Sequence, residues 1–438
     1  MSQPPSKSIL ILGAYGFIGN QIAKHLVLDG HNVNGFGRNI EYGQAILPDI
    51  EWMKGDLADY CSAAKWLPLL ENIDIVVNAS GILQSGPADD INVTQSDAII
   101  ALIEACETAN IKQVIQISAC GASTGSTLDF MSSKAAADER LLASSIDAAI
   151  LRPGLVIGRN SYGGTEFIRM IAATPGIAPK LSGFGTVQTI ALSEVVEAVQ
   201  VAIDAPDGFS GSFDLVERKS RALDQIIAMH RKWLGFGPTR FHIPVGNAVM
   251  RLGALASDAI GWLGWRSPMR SNALNALING VAGDAAQTAR ILGRHAMPLE
   301  RTLAGFHSGK QDRIHARLML LLPIFMLMLI FLWLGSGILG FAMANEAAAL
   351  LDNASTGAGA AKLMVYGGAT IDIMLGLGLM IRKTARLALA GTIIVTIAYL
   401  VGGSILTPQL WLDPLAPLIK ALAAMGLSIS CLIALDKR

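Results

Sequence analysis

Three groups of residues in this 438-residue chain have types and spacings that could do chemistry. The first is Gly13-Ala14-Tyr15-Gly16-Phe17-Ile18-Gly19, which follows the apolar run Ser8 to Leu12 and opens a helix running toward Asp29. Strand, glycine turn and helix in that order suit a pyrophosphate. Glycines permit a tight turn and close backbone approach, and the helix start presents free N–H groups and a positive dipole. In some other α/β fold the same glycines would be a plain connector. The second is Arg38 in Gly37-Arg38-Asn39, closing the second strand, His31 to Phe36. An acidic residue there would bind an unphosphorylated ribose, whereas an arginine suits a 2′-phosphate, so NADP(H) is favoured over NAD(H). A solvated arginine at a strand end is the alternative. The third is a pair of charges, Asp372 and Lys420, in sequence otherwise almost free of them.

The elements that must position the first two groups alternate regularly. Gly55-Asp56-Leu57, the strand Ile73 to Asn78 leading into Ala79-Ser80-Gly81, and the strand Val114 to Ser118 are each followed by helix-like sequence. Repeated βαβ units specify a parallel sheet covered on both faces. The expected fold class is therefore α/β, with an NAD(P)-binding Rossmann-like doubly wound parallel sheet over residues 1–207. Ligands of such sheets bind at the carboxyl ends of the strands, where Gly13, Arg38, Asp56, Asn78 and Ser118 would gather.

A smaller substrate-side and interfacial region is expected over residues 208–309, with a helix from Leu223 to Leu234. Within the region a later stretch ends in Ile260-Gly261-Trp262-Leu263-Gly264-Trp265-Arg266, where paired tryptophans and a basic residue suit a helix in the bilayer interface. Trp262 and Trp265 would then bring the substrate cleft to the membrane surface. Ordinary packing of an amphipathic helix on the Rossmann-like domain is the competing expectation.

The third group lies in a different kind of sequence. Hydrophobic residues make up 52% of the chain and charged residues only 16%, against about 25% charged in ordinary globular proteins. The excess sits beyond residue 315. Leu318 to Asn345 has no charged side chain, Leu363 to Ile381 has only Asp372, Leu387 to Leu412 has none, and Pro414 to Leu435 has only Lys420. Each stretch is long enough for the roughly 20 residues a helix needs to cross a bilayer. Soluble bundle helices need a polar face, which these lack, so residues 310–438 should form a four-helix transmembrane bundle.

Lys310, Arg313 and Arg317, then Arg382, Lys383 and Arg386, then Lys437 and Arg438 flank the spans on one side. The positive-inside rule makes that side cytoplasmic. The expectation is a multi-pass protein of a bacterial inner (plasma) membrane with both termini in the cytoplasm and the lipid bilayer as partner. Counted from the outer ends of their spans, Asp372 and Lys420 lie roughly 10 to 14 Å deep at 1.5 Å per residue. Lone charges at that depth cost about 2.5 to 3.5 kcal/mol or more, so the two are expected to pair inside the bundle. The pair would either fix helix register or form a polar site for a quinone headgroup or a proton.

Lys+Arg and Asp+Glu balance at 34 each, leaving no field to attract nucleic acid. The cysteines Cys61, Cys106, Cys120 and Cys431 are far apart without CxxC spacing, and no histidine set completes a metal site. No metal is expected.

Across Ser8 to Asp204 the chain resembles the extended and atypical short-chain dehydrogenase/reductase superfamily. The likeness rests on Gly13/Gly16/Gly19, Gly55-Asp56-Leu57, Asn78-Ala79-Ser80-Gly81 and Leu151-Arg152-Pro153-Gly154 through Gly158. By that resemblance Asp56 faces the adenine, the loop from Asn78 flanks the cofactor, and Ser118 and Lys134 are the catalytic pair, Lys134 also binding the nicotinamide ribose. Active members use Tyr-x-x-x-Lys, with the tyrosine as proton donor; here Phe130 stands four residues before Lys134. A substitute acid would be water, Ser132, Ser133 or Tyr162. Within the superfamily the layout looks most like the atypical branch that holds the Rossmann-type accessory subunit of respiratory complex I and proteins linked to ubiquinone metabolism. The spans resemble the DoxX-like family through Asp372 to Gly378, Tyr399, and Pro408 to Pro417 with Lys420. Two functions follow. One is a membrane-anchored NAD(P)(H)-dependent oxidoreductase for an apolar or quinone-related substrate. The other is a catalytically degenerate nucleotide-binding protein for assembly or regulation of a respiratory or ubiquinone-synthesis complex.

Overall fold

The computed structural model of the chain describes residues 6–82, 85–86, 90–181, 184–205, 209–265, 271–352 and 358–435. Arg266, Lys437 and Arg438, invoked above for the interface and for orientation, lie outside them. The chain divides into two compact units, Met1–Ala259 with Ser267–Arg313, and Ile260–Arg266 with Ile314–Arg438.

The first unit is built on a parallel seven-stranded sheet. Its strands in chain order are β1 (Ser8–Leu12), β2 (Asn32–Gly37), β3 (Glu51–Lys54), β4 (Ile75–Asn78), β5 (Gln113–Ile117) and β6 (Asp147–Pro153). The short strands β7 (Leu155–Ile157), β8 (Ile177–Leu181) and β9 (Thr189–Ala191) come next, then β10 (Gly211–Leu215) and β11 (Phe241–Val245). Spatial order in the sheet is β3-β2-β1-β4-β5-β6-β10. β7 pairs with β9 and β8 with β11, both in parallel.

Both faces of the sheet are buried, which is why β1 reads as an unbroken apolar run. Ile9 and Ile11 enter one core with Ile22, Leu26, Val195 and Val199, from the helices Gly19–Leu28 and Leu192–Asp204. Leu10 and Leu12 enter the other with Trp66, Leu102, Ile103 and Leu141, the last three from the helices Ala98–Thr108 and Asp129–Leu142. The expected boundary near residue 207 does not separate two bodies. β10 lies beyond it and pairs with β6 as the sheet's edge, because the crossover helix Leu192–Asp204 carries the chain back over the sheet.

Beyond the sheet, the helix Leu223–Trp233 packs on Gly164–Ala172. Arg169 is buried there, its guanidinium donating to the Gly158 and Arg159 carbonyls at 2.9 and 3.0 Å and lying 4.6 Å over the Trp233 ring. His230 beside it is fully buried, with Nδ1 2.9 Å from the Ile226 carbonyl. Burial pushes its imidazole down to about 4, against the opposing effect of that hydrogen bond.

Among the described residues of the second unit, four helices are long and apolar enough to cross a membrane. They are Lys310–Ala342, which starts inside the first unit, Ala358–Met380, Arg382–Leu406 and Pro417–Ala434. Only 17 to 22% of their apolar windows is buried within the protein, as lipid-facing helices require. A single residue, Ile381, separates the second and third spans, so Arg382, Lys383 and Arg386 form the opening of the third helix. The Arg386 guanidinium binds the Leu435 carbonyl at the end of the fourth. Trp265 belongs to this unit: its indole donates to the Met380 carbonyl at 2.7 Å, and Arg382 lies 5.6 Å over its ring while donating its N–H to the Leu263 carbonyl. Trp262 is exposed.

Candidate functional site

The strand order reverses beside β1, with β2 and β3 to one side and β4, β5, β6 and β10 to the other. Loops leaving β1 and β4 therefore part, and the crevice between them is where a parallel sheet takes a ligand. Gly13 turns the chain out of β1 at φ +74°, a region that favours glycine. A Cβ on Gly13 would stand 3.0 Å from the Ala79 carbonyl oxygen, and one on Gly19 would overlap the Gly13 carbonyl. The Gly16 N–H donates to that same carbonyl at 2.8 Å. The turn is thus packed backbone against backbone. Among the described residues no hydrogen bond takes up the N–H groups of Phe17 and Ile18, and no side chain caps the helix Gly19–Leu28. These donors at a helix start fit a pyrophosphate, so the residues present fit a dinucleotide.

On the β2 side the Tyr15 ring lies against Gly37 and stacks on Trp52 at 5.7 Å, while its hydroxyl accepts the Arg38 N–H at 3.1 Å. The Arg38 guanidinium is 3.6 Å from Asp56, both partly exposed. Asp56 also accepts the Ala58 N–H at 3.2 Å, capping the turn Leu57–Asp59 after β3, and Leu57 packs into the second core. The structure therefore joins Tyr15, Arg38 and Asp56 in one lip. Trp52 is an addition to the sequence expectation. It sits opposite Gly35 in the β2–β3 register, and a partner across a ladder is not visible before the register is known.

At the floor, buried Asn78 donates to Gln116 at 2.8 Å and accepts the Ser80 N–H and O–H at 3.1 and 2.5 Å, while the Ala79 N–H donates to the Leu12 carbonyl. Lys134 reaches from the helix Asp129–Leu142 to donate to the Ser80 carbonyl at 3.1 Å and the Ile117 carbonyl at 2.8 Å, with Gly81 alongside. Burial pushes its ammonium down to about 8, while Asp138 acts in the opposite direction. Phe130, half-buried, is one turn earlier on the same helix.

Ser118 is directed elsewhere. Its hydroxyl donates to Asp138 Oδ2 at 2.7 Å, an oxygen that also accepts from Arg152 Nε and Nη2 at 3.1 and 3.0 Å. Burial holds the Asp138 carboxyl above its ordinary range against the Ser118 hydrogen bond and the Arg152 charge. Asp138 lies four residues past Lys134 on one helix face, a spacing that could have singled it out. Of the substitute acids, Ser132 is bonded to the Leu128 and Asp129 carbonyls and Ser133 to the Phe130 carbonyl. Tyr162 is exposed and stacks at 6.4 Å on Phe17 of the glycine turn.

In the membrane unit the expected ion pair does not form. Asp372 is buried, accepting from the Ser336 hydroxyl at 2.6 Å and the Tyr399 hydroxyl at 2.8 Å, whereas Lys420 is exposed. Helix register, invisible in a list of charges, brings the first and third spans to Asp372 instead of the fourth.

Comparison with known proteins gives the same two classes. Residues 13–172 match the NAD(P)H-binding family and residues 330–429 the DoxX-like family. WbmG of Bordetella bronchiseptica, solved in complex with NAD, is 15% identical with a TM-score of 0.52 over 70% of this chain and 94% of that one. The dTDP-glucose 4,6-dehydratase of Bacillus anthracis str. Ames, also with NAD, is 13% identical with a TM-score of 0.51 over 68% and 95%. At such identities the likeness speaks for the fold. The ceramide reductase of Caulobacter vibrioides (strain NA1000 / CB15N) is 24% identical over 185 residues, 40% of this chain and 54% of that protein. The chain thus spans about half the length of that curated relative. The first unit is an NAD(P)-binding Rossmann domain with epimerase- and dehydratase-like structural neighbours. The chain as a whole fuses it to a C-terminal DoxX-like membrane domain.

Proposed function

We propose that the chain is a membrane-anchored NAD(P)(H)-dependent oxidoreductase whose acceptor is apolar and quinone-related. The observation that carries this reading is an intact pyrophosphate turn beside a lysine whose usual proton-donating neighbour is replaced by Phe130. The dinucleotide, when bound, supplies hydride. An aliphatic ketone that accepts hydride becomes a strongly basic alkoxide and needs a resident acid, whose loss costs about 10²- to 10⁴-fold in rate. A quinone becomes a phenol-like anion, with a pKa of about 10 as for tyrosine, and takes its proton from water. The relative named a ceramide reductase supports an apolar substrate. Arg38 supports NADP(H) over NAD(H), since its guanidinium lies on the partly exposed lip. The basic clusters support cytoplasmic termini in a bacterial inner membrane.

A second reading, a catalytically degenerate nucleotide-binding assembly or regulatory protein for a respiratory or ubiquinone-synthesis complex, is favoured by one observation. Ser118 and Lys134 are both satisfied by protein groups, Asp138 and the Ser80 and Ile117 carbonyls.

The test is NADPH and NADH oxidation by the full chain in detergent, with short-chain quinones and with a long-chain ketone, beside a nucleotide-binding titration. Turnover with the quinone and not the ketone supports the first reading, and Phe130→Tyr should then gain ketone activity. Tight nucleotide binding with no turnover in either protein supports the second.

A further inference from the structure

We propose that Asp372 is a proton-holding site of the membrane domain, a neutral carboxylic acid whose proton exchanges while the carboxyl stays lodged between the Ser336 and Tyr399 hydroxyls.

Three spans build the site. The first and second cross in backbone contact on either side of Asp372. A Cβ on Gly337 would lie 2.6 Å from Ile373 Cγ1 and 2.7 Å from the Ala369 carbonyl oxygen, and one on Gly376 would lie 2.6 Å from Leu334 Cδ2. Small residues at a helix crossing let backbones approach this closely. The crossing delivers Ser336, adjacent to Gly337, to 2.6 Å from Asp372 Oδ2. From the third span the Tyr399 phenol arrives over Gly368, where a Cβ would stand 3.0 Å from the phenol oxygen, and donates to Oδ1 at 2.8 Å. Asp372 as a whole residue is 4% exposed. Three helices and three glycines thus converge on one acid.

The surrounding charges do not neutralise it. The apolar part of the first span has no charged residue, and the second span carries Lys362 near its start and Tyr366 against Phe341. The third span carries Arg382, Lys383 and Arg386 in its opening turns, the fourth carries exposed Lys420, and the helix Ala344–Asp352 carries Glu346 and Asp352. Among the described residues none of these forms an ion pair with Asp372, whose partners are two neutral hydroxyls. Both partners can donate to a carboxylate and accept from a carboxylic acid, so neither fixes the charge of the group between them.

Hydroxyls suit both states because each donates and accepts. When Asp372 is ionised, Ser336 and Tyr399 each donate to one oxygen. When it is protonated on Oδ2, that O–H donates to Ser336 Oγ while Tyr399 continues to donate to Oδ1. Gain or loss of the proton requires only rotation of the serine hydroxyl. A lysine partner would have locked the ionised state.

The experiment is infrared spectroscopy of the full chain in phosphatidylcholine vesicles. A protonated-carboxyl C=O band should be present at neutral pH, shift in D2O, vanish at alkaline pH and be missing from Asp372→Asn. Tyr399→Phe and Ser336→Ala should keep the band but move its frequency, since each removes one hydrogen bond. That also separates it from any band of Asp138, which neither substitution touches, and identifies it if Asp372→Asn does not fold. The proposal is overturned if Asp372→Asn loses only ionised-carboxylate absorption at neutral pH. It is equally overturned if the band ignores D2O, or if neither hydroxyl substitution moves any carboxyl band.

Discussion

The Ser118 hydroxyl donates to Asp138 at 2.7 Å, and the oxygen it meets is the one held by the Arg152 guanidinium. A serine so engaged is part of the scaffold beneath the cleft. Ser118→Ala should therefore lower stability by about 1.5 to 3 kcal/mol, the range for a hydrogen bond to a charged group. The thermal midpoint should fall while nucleotide affinity stays unchanged. A serine that touched substrate would give the opposite pattern, with turnover reduced and the melt unaltered.

The glycine turn admits no side chain at its third position. In Gly19→Ala the new methyl group would overlap the Gly13 carbonyl, a backbone atom that cannot swing aside. Overpacking of this kind costs about 1 to 3 kcal/mol, and here it would displace the N–H donors that face the pyrophosphate. Titration with NADPH and NADH should show more than a tenfold loss of affinity for both.

Arg38 should distinguish the two cofactors. Its main-chain N–H is held by Tyr15 and its guanidinium faces Asp56 at 3.6 Å. A 2′-phosphate would compete with that carboxylate for the guanidinium. Arg38→Ala should weaken NADPH binding about tenfold, or 1.4 kcal/mol, and leave NADH binding unchanged. An equal loss for both would remove the basis for the NADP(H) preference.

His230 should make the first unit acid-sensitive. Burial depresses its imidazole from 6.5 to about 4, so between these values the unfolded chain takes up a proton that the folded chain refuses. The stability at stake is fully present above pH 6.5 and is lost as pH falls toward about 4. It amounts to about 3 kcal/mol at 1.36 kcal/mol per pKa unit. Thermal midpoints measured across that window should fall with pH, and His230→Leu should flatten the slope.

How much of this was legible in the sequence depended on distance along the chain. β1 and the turn through Gly19 could be read directly, because a strand buried on both faces is continuously apolar and a pyrophosphate turn is local. β10 could not: five residues after a crossover declare themselves only by pairing with β6. The same limit applied to Asp372. Its charge is visible as a residue type and invites a search for an opposite charge inside the apolar stretches, where Lys420 stands. Its actual partners, a serine and a tyrosine, are selected by a glycine crossing and by helix register. Lys134 was found through the position it shares with a known pattern, whereas its bonds to the Ser80 and Ile117 carbonyls depend on where the loop after β4 and the end of β5 lie.

The bond between the Trp265 indole and the Met380 carbonyl also sets a schedule. The two residues are 115 positions apart, and chains are synthesised at about 5 to 20 residues per second. On a growing chain Trp265 is therefore added roughly 6 to 23 s before its acceptor exists. During that interval the indole N–H lacks its native acceptor, although the Leu263 and Trp265 main-chain N–H groups already have the Ile260 carbonyl. Completion of this seam must follow insertion of the second span, so the protein is assembled in a fixed temporal order.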